Sequence, residues 1–172
     1  MTAKVSTARS WPKTAPQLAG IDFDDCHEKI QQMIEYWLSI HPASGLPGRQ
    51  HFDPVDIPQL LPNLRLLDVI GDPPRFKTRL MGTVLLDFFG QEQTGCWFDE
   101  LYPNFKQSKT CADLCDAVAT KLPNWRRGAP ALVYEKDFMT VERVYLPMAR
   151  DGVNVDMIVT CMLFGDETGE FK

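Results

Sequence analysis

Five cysteines, three histidines and a few clustered carboxylates are the side chains of this 172-residue chain able to ligate a metal, attack a substrate or pass a proton. Cys26, Cys96, Cys111, Cys115 and Cys161 are odd in number and include no Cys-x-x-Cys, which argues against a disulfide framework and a zinc ribbon. Cys111 and Cys115 are four apart and share a face of any helix that holds them, a spacing acceptable for two metal or redox ligands. Two thiols cannot close a tetrahedral site, and His27, His41 and His51 all fall far upstream, so packing in a core is the reading these cysteines favour. No Gly-x-Ser-x-Gly, His-Glu-x-x-His or phosphate-binding Gly-x4-Gly-Lys word occurs. Asp99, Glu100 and Asp116 read as solvated charges and caps, and Arg49 with Asp53 as a clamp on a turn. Neither catalysis nor a bound metal is expected.

Behind these residues stands an ordinary globular composition: 44% hydrophobic, 24% charged, with 18 Lys and Arg against 23 Asp and Glu. One domain with a proper core follows. A net charge of −5 repels phosphate backbones, and the densest basic spot is only Arg126-Arg127, so nucleic acid is excluded as a direct ligand. No long apolar run and no secretory signal is present, which predicts a cytoplasmic chain without membrane contact. The organisation expected is a mobile tail over 1–22, a helix and ordered connector over 23–62, a core over 63–165 and a second tail over 166–172.

Within that frame, Cys26, Ile30, Met33, Ile34, Trp37 and Leu38 recur at spacings of three and four, predicting an amphipathic helix over Asp24–Ser39. The connector 42–62 carries breakers around one short helical turn. Leu64–Ile70 and Arg75–Met81 flank Gly71-Asp72-Pro73-Pro74 as a hairpin that sets Ile70 against Arg75 and Asp68 against Lys77. Thr83 then caps a short helix that Gly90 stops, and Thr94-Gly95 opens a second apolar piece over 96–101. A longer helix is expected over 104–122, followed by strands over 131–138, 141–149 and 153–164. In the last strand one face is wholly apolar and the other polar at one end, which calls for a central strand whose back is covered by the first helix.

That element order is the order of the PAS fold. The words Arg79-Leu80-Met81-Gly82-Thr83, Phe89-Gly90, Thr94-Gly95 and Glu100-Leu101 resemble the PAS signature in spacing. Upstream, Leu46 to Pro54, Leu60-Leu61-Pro62-Asn63 and Leu67-Asp68-Val69 resemble a bacterial PAS-type family over about Ile30 to Phe164. Gly48 stands where that family has Ser or another small residue. The resemblance implies an α+β fold: a PAS-like five-stranded antiparallel sheet with helices on one face and the N-terminal amphipathic helix covering part of the other.

It also implies a ligand pocket between sheet and helices, walled by Leu80, Leu85, Phe88, Phe89, Trp97, Leu114, Val118, Val144, Leu146, Val159 and Cys161. Arg79, Thr83, Tyr145 and Trp97 would supply its polar contacts; alternatively the same side chains fill a closed core. Gly82, Gly90, Thr94 and Gly95 read as backbone devices at element ends. The covalent-flavin word of light-sensing members is missing, since Asp99 stands where its Cys would, and no His lies near the long helix to ligate haem. No cofactor is therefore named. The function expected is a stand-alone sensory or regulatory module binding a small molecule, a protein partner or both. It would signal through self-association or a separate output protein, because the chain leaves no length for an output domain. Ile30, Met33, Ile34, Trp37 and Leu38 either form a homodimer interface or pack on their own sheet. The alternatives are a small enzyme in which Arg79 orients an anionic metabolite, and a purely structural interaction domain.

Overall fold

Gly71-Asp72-Pro73-Pro74 cannot continue a strand, and on either side of it β1 (Leu64–Ile70) and β2 (Arg75–Met81) pair antiparallel. The computed structural model describes residues 20–171; most of the 1–22 segment read as a tail lies outside the described residues. Ile70 faces Arg75 and Asp68 faces Lys77 as expected, but a bulge between Leu66 and Leu67 leaves Arg79 unmatched in the ladder. Gly82 follows β2 where the chain crosses the Leu61–Asn63 turn so closely that a Cβ would run into the Leu61 and Pro62 carbonyls.

The remaining strands are β3 (Asn124–Gly128), β4 (Thr140–Met148) and β5 (Met157–Gly165), in a sheet ordered β2-β1-β5-β4-β3 with every pairing antiparallel. Two expectations shift here. The strand read over 131–138 is instead a loop with a single turn at Tyr134–Lys136, held to α2 (Thr83–Phe89) by Lys136 Nζ donating to the Phe88 carbonyl. The pairing falls to Asn124–Gly128, whose charged side chains suit a sheet edge and hide it from an apolar-period reading. The strand expected from Val153 starts at Met157, because the Asp151 carboxylate accepts the Val153 and Asn154 N–H groups at 2.8 and 2.7 Å and holds a turn there.

Helix starts are set by local acceptors rather than by the apolar period. α1 (Glu28–Ser39) begins after the expected Asp24, with His27 Nδ1 accepting the Lys29 N–H at 3.1 Å, while Phe23–Asp25 forms its own turn under Asp22. The connector winds through three turns, Arg49–His51, Pro54–Asp56 and Leu61–Asn63, where one was expected, since Pro54 and Pro62 each restart the chain. Arg49 donates to the Phe52 carbonyl at 2.7 Å, and the Asp53 carboxylate accepts the Val55 N–H at 3.0 Å. Gly82, not Thr83, occupies the cap position of α2, and left-handed Gly90 (φ 72°) ends it. α3 is Phe98–Leu101; Thr94 caps no helix but binds the Glu92 carboxylate, and the Gly95 N–H donates to Thr78 O at 2.7 Å. α4 is Lys109–Thr120, started by Ser108 Oγ accepting the Cys111 N–H at 3.1 Å, with a separate turn at Phe105–Gln107 before it.

Alternation along the central strands then divides the core in two. Val144, Leu146, Met148, Met157, Val159, Cys161 and Leu163 face α1, packing with Ile30, Met33, Ile34 and Trp37. Leu67, Tyr145 and Ile158 face the other way, onto Phe76, Phe98, Phe105, Leu114 and Ala117. The apolar stripe of α1 is thus used on its own sheet: Ile30, Met33, Ile34 and Trp37 are fully buried, Leu38 is half-buried, and Trp37 Nε1 donates to Pro147 O at 3.0 Å. Of the expected interface residues, Leu38 alone keeps exposed surface. After β5, Phe171 bridges back to Gly165, and its ring lies 5.5 Å from that of His27. Among the described residues no helix is long and apolar enough to cross a membrane.

Candidate functional site

β1, β4 and β5 each carry a polar group in the middle of an apolar run, and all of these groups point to the face opposite α1. They are Arg65, Arg143 and Thr160, buried to 3%, 2% and 1% exposure. With Arg126 of β3 they line a cavity of about 40 Å³, more than the roughly 10–15 Å³ that a single water requires. Its other walls are Leu67, Tyr145, Val141 and Met162 of the sheet, Phe88 and Phe89 of α2, Phe98 of α3, Thr110 of α4, and Pro130, Ala131, Leu132 and Val133 of the β3–β4 loop.

The three guanidinium groups differ in how they are satisfied. Arg143 is fully engaged: Nη1 donates to Asn124 O and Oδ1 at 2.8 and 2.7 Å, Nη2 bonds the Asp113 carboxylate, and the group lies 3.8 Å over the Tyr145 ring. Arg126 is the register partner of Arg143, a like-charged pair across the ladder that only Asp113 relieves, and its Nε lies 3.6 Å from Asp113 Oδ2 without a hydrogen bond. Arg65 has no carboxylate partner among the described residues. Its Nη2 donates to Gln93 Oε1 at 2.8 Å, Gln93 is held in turn by the Tyr102 hydroxyl at 2.7 Å, and its guanidinium lies 4.6 and 5.3 Å from the Phe89 and Phe98 ring centres. Arg65 Nε and Thr160 Oγ1 are both buried without a hydrogen-bond partner. Burial pulls the Arg65 and Arg143 pKa values below the ordinary guanidinium range.

Of the residues expected to wall a pocket, Phe88, Phe89 and Tyr145 do so. Leu114 and Val118 belong to the α4 core beside the cavity, and Leu85 is buried elsewhere in α2. Leu80 and Thr83 are exposed, and Trp97 pairs with Lys77 outside the cavity, its ring 4.2 Å from the Arg75 guanidinium. Arg79 is half-exposed and bonds Asp68 at 3.1 Å, so it orients no ligand in the cavity. Val144, Leu146, Val159 and Cys161 face α1, one step of strand alternation away from the expected placement. The expectation had put the wholly apolar face of β5 toward the ligand; its mixed face, Thr160-x-Met162, is the one that lines the cavity.

The residues missed were Arg65, Arg126, Arg143 and Thr160. Their signal was present as charged and hydroxyl groups inside strands otherwise apolar, Leu64-Arg65-Leu66-Leu67 and Val141-Glu142-Arg143-Val144. Cys26 and Cys161 are buried on the α1 side, and the Cys111 and Cys115 sulfurs lie 4.0 Å apart along α4. Among the described residues no group of three or more His, Cys, Asp or Glu side chains is placed to hold a metal ion. A family model for the PAS domain matches residues 26–163. No curated protein and no solved structure matches the chain.

Proposed function

The chain belongs to the PAS domain family, and from that premise we propose that it is a sensory or regulatory module whose cavity takes a small molecule without covalent attachment. The observation that carries this reading is the three buried, unpartnered polar atoms on residues that line one cavity, Arg65 Nε, Arg126 Nε and Thr160 Oγ1. A filled core has no use for such groups, because each unsatisfied one costs about 1–3 kcal/mol, whereas a ligand that bonds them recovers that cost. Binding rather than turnover is favoured by the lining itself, which contains guanidinium, hydroxyl and phenol groups but no carboxylate, imidazole or thiol.

A bound molecule would touch α2 and the β3–β4 loop, which Lys136 already ties to each other, and these are the parts whose packing would report occupancy. The signal then passes through self-association or to a separate output protein. The test is native mass spectrometry of protein purified from its own host, compared with the same sample after denaturation. A mass excess lost on denaturation supports the reading. Bare polypeptide mass, together with no thermal shift across a metabolite panel, refutes it in favour of a filled, purely structural domain.

A further inference from the structure

We propose that the cavity ligand is a small organic carboxylate with an apolar body. The proposal rests on the ligand-binding reading above and narrows its chemistry. The chain as a whole carries −5, yet three guanidinium groups converge on this cavity and none of its lining residues is acidic. One negative charge, Asp113, already serves Arg143 and Lys109 and stands 3.6 Å from Arg126, which is partly open to solvent. Arg65 is left as a wholly buried cation with no carboxylate in salt-bridge contact among the described residues; Glu92, which acts on it electrostatically, is spent on Thr94 at the exposed surface. A buried unpaired charge is among the most costly groups a fold can hold, so its retention points to a counter-ion that arrives from outside.

The number and geometry of free donors select the anion. Gln93 holds Arg65 Nη2 and the Tyr102 hydroxyl also serves the guanidinium, Phe89 and Phe98 lie against it, and the edge left buried without a hydrogen-bond partner is the one at Nε. A planar carboxylate accepts from such an edge, and the Thr160 hydroxyl adds a further donor. One wholly buried charge matches a single carboxylate better than a phosphate dianion. Phe88, Leu132 and Met162 make the rest of the lining apolar, and about 40 Å³ suits a body of acetate size, so a longer chain or a ring requires α2 and the β3–β4 loop to give way.

The test is calorimetric titration of the full chain with acetate, butyrate, hexanoate, octanoate and benzoate, each paired with its neutral primary amide, and with inorganic phosphate. The expected result is saturable binding of at least one monocarboxylate, with its amide weaker by more than about tenfold. Arg65→Met should abolish the preference, and Thr160→Val, which keeps the side-chain volume, should weaken the carboxylate while leaving the fold unchanged. The amide comparison uses the natural chain and so does not depend on either variant folding. An amide bound as tightly as its acid, phosphate bound in place of every carboxylate, or a neutral molecule found by native mass spectrometry overturns the anion assignment and leaves the ligand-binding reading standing. Bare mass from the host together with no binding by any probe overturns both.

Discussion

Glu142 and Arg143, consecutive in β4, project to opposite faces of the sheet and hold different helices. Glu142 Oε1 accepts the His27 N–H at 2.8 Å where α1 begins, whereas Arg143 bonds Asp113 of α4. Both side chains are buried, and each is satisfied by several partners: Trp125 Nε1 and Arg127 on Glu142, Asn124 and the Tyr145 ring on Arg143. Strand alternation lets one dipeptide anchor two layers. It also places the α1 anchor one residue from a group that lines the ligand cavity.

Arg143→Met should destabilise the fold strongly. Removing one partner of a buried ion pair typically costs about 3–5 kcal/mol, and Lys109 and Arg126, both close to Asp113, should keep the loss toward the lower end. Adding Asp113→Asn to Arg143→Met should cost less than the two single changes together, because the second charge no longer stands alone. Urea unfolding of the three variants checks this. Additive losses, or a loss below about 1 kcal/mol for Arg143→Met, would contradict the buried pair.

The hairpin, α2 and the central strands were legible because turn residues and apolar runs coincide there, as at Gly71-Asp72-Pro73-Pro74 and at Gly90. β3 was not legible, since Trp125-Arg126-Arg127 shows no apolar run and its place at the edge depends on pairing with β4. Only a small part of the cavity was legible. Phe88, Phe89 and Tyr145 follow from where their elements must go, but Val159 and Cys161 were assigned to the wrong face. Period two says which residues share a face and not which layer that face meets. The buried charges do not supply that missing information either, because Glu142 and Arg143 are consecutive and each face of the sheet buries one of them.

Trp37→Ala should cost about 3–5 kcal/mol, since a fully buried indole is lost along with its bond to Pro147 O. Its removal should leave the oligomeric state unchanged, because Trp37 packs on its own sheet. Urea unfolding and size-exclusion chromatography with light scattering read the two effects. A stable variant that changed mass in solution would restore α1 as an interface.

Buried thiols give the fold a weakness at alkaline pH. Burial pushes Cys26 and Cys161 up to about 12, above the ordinary thiol value of about 8.5. A folded pKa raised above the unfolded one means that this contribution is whole below about 8.5 and is lost as pH rises through about 12. The urea midpoint should therefore fall between pH 9 and pH 11, and should fall less in Cys26→Ala. At pH 8, Cys26 and Cys161 should react with a thiol reagent only as fast as the protein unfolds. Rapid reaction of all five thiols in the folded protein would refute their burial.

Arg79→Ala separates Arg79, the arginine expected from the sequence to orient an anion, from Arg65, which lines the cavity. Arg79 is the bulge residue of β2, half-exposed, with its guanidinium on the Asp68 carboxylate at 3.1 Å. Exposed pairs of this kind contribute about 0–1 kcal/mol, so the variant should unfold within that margin of the natural chain. Arg65, by contrast, is enclosed by Phe89, Phe98 and Gln93 and faces the cavity. Native mass spectrometry of Arg79→Ala should show the same bound mass as the natural chain, and that of Arg65→Met should show it lost. The reverse pattern would move the binding site from the sheet's inner face to the hairpin edge, because only there can Arg79 reach a ligand.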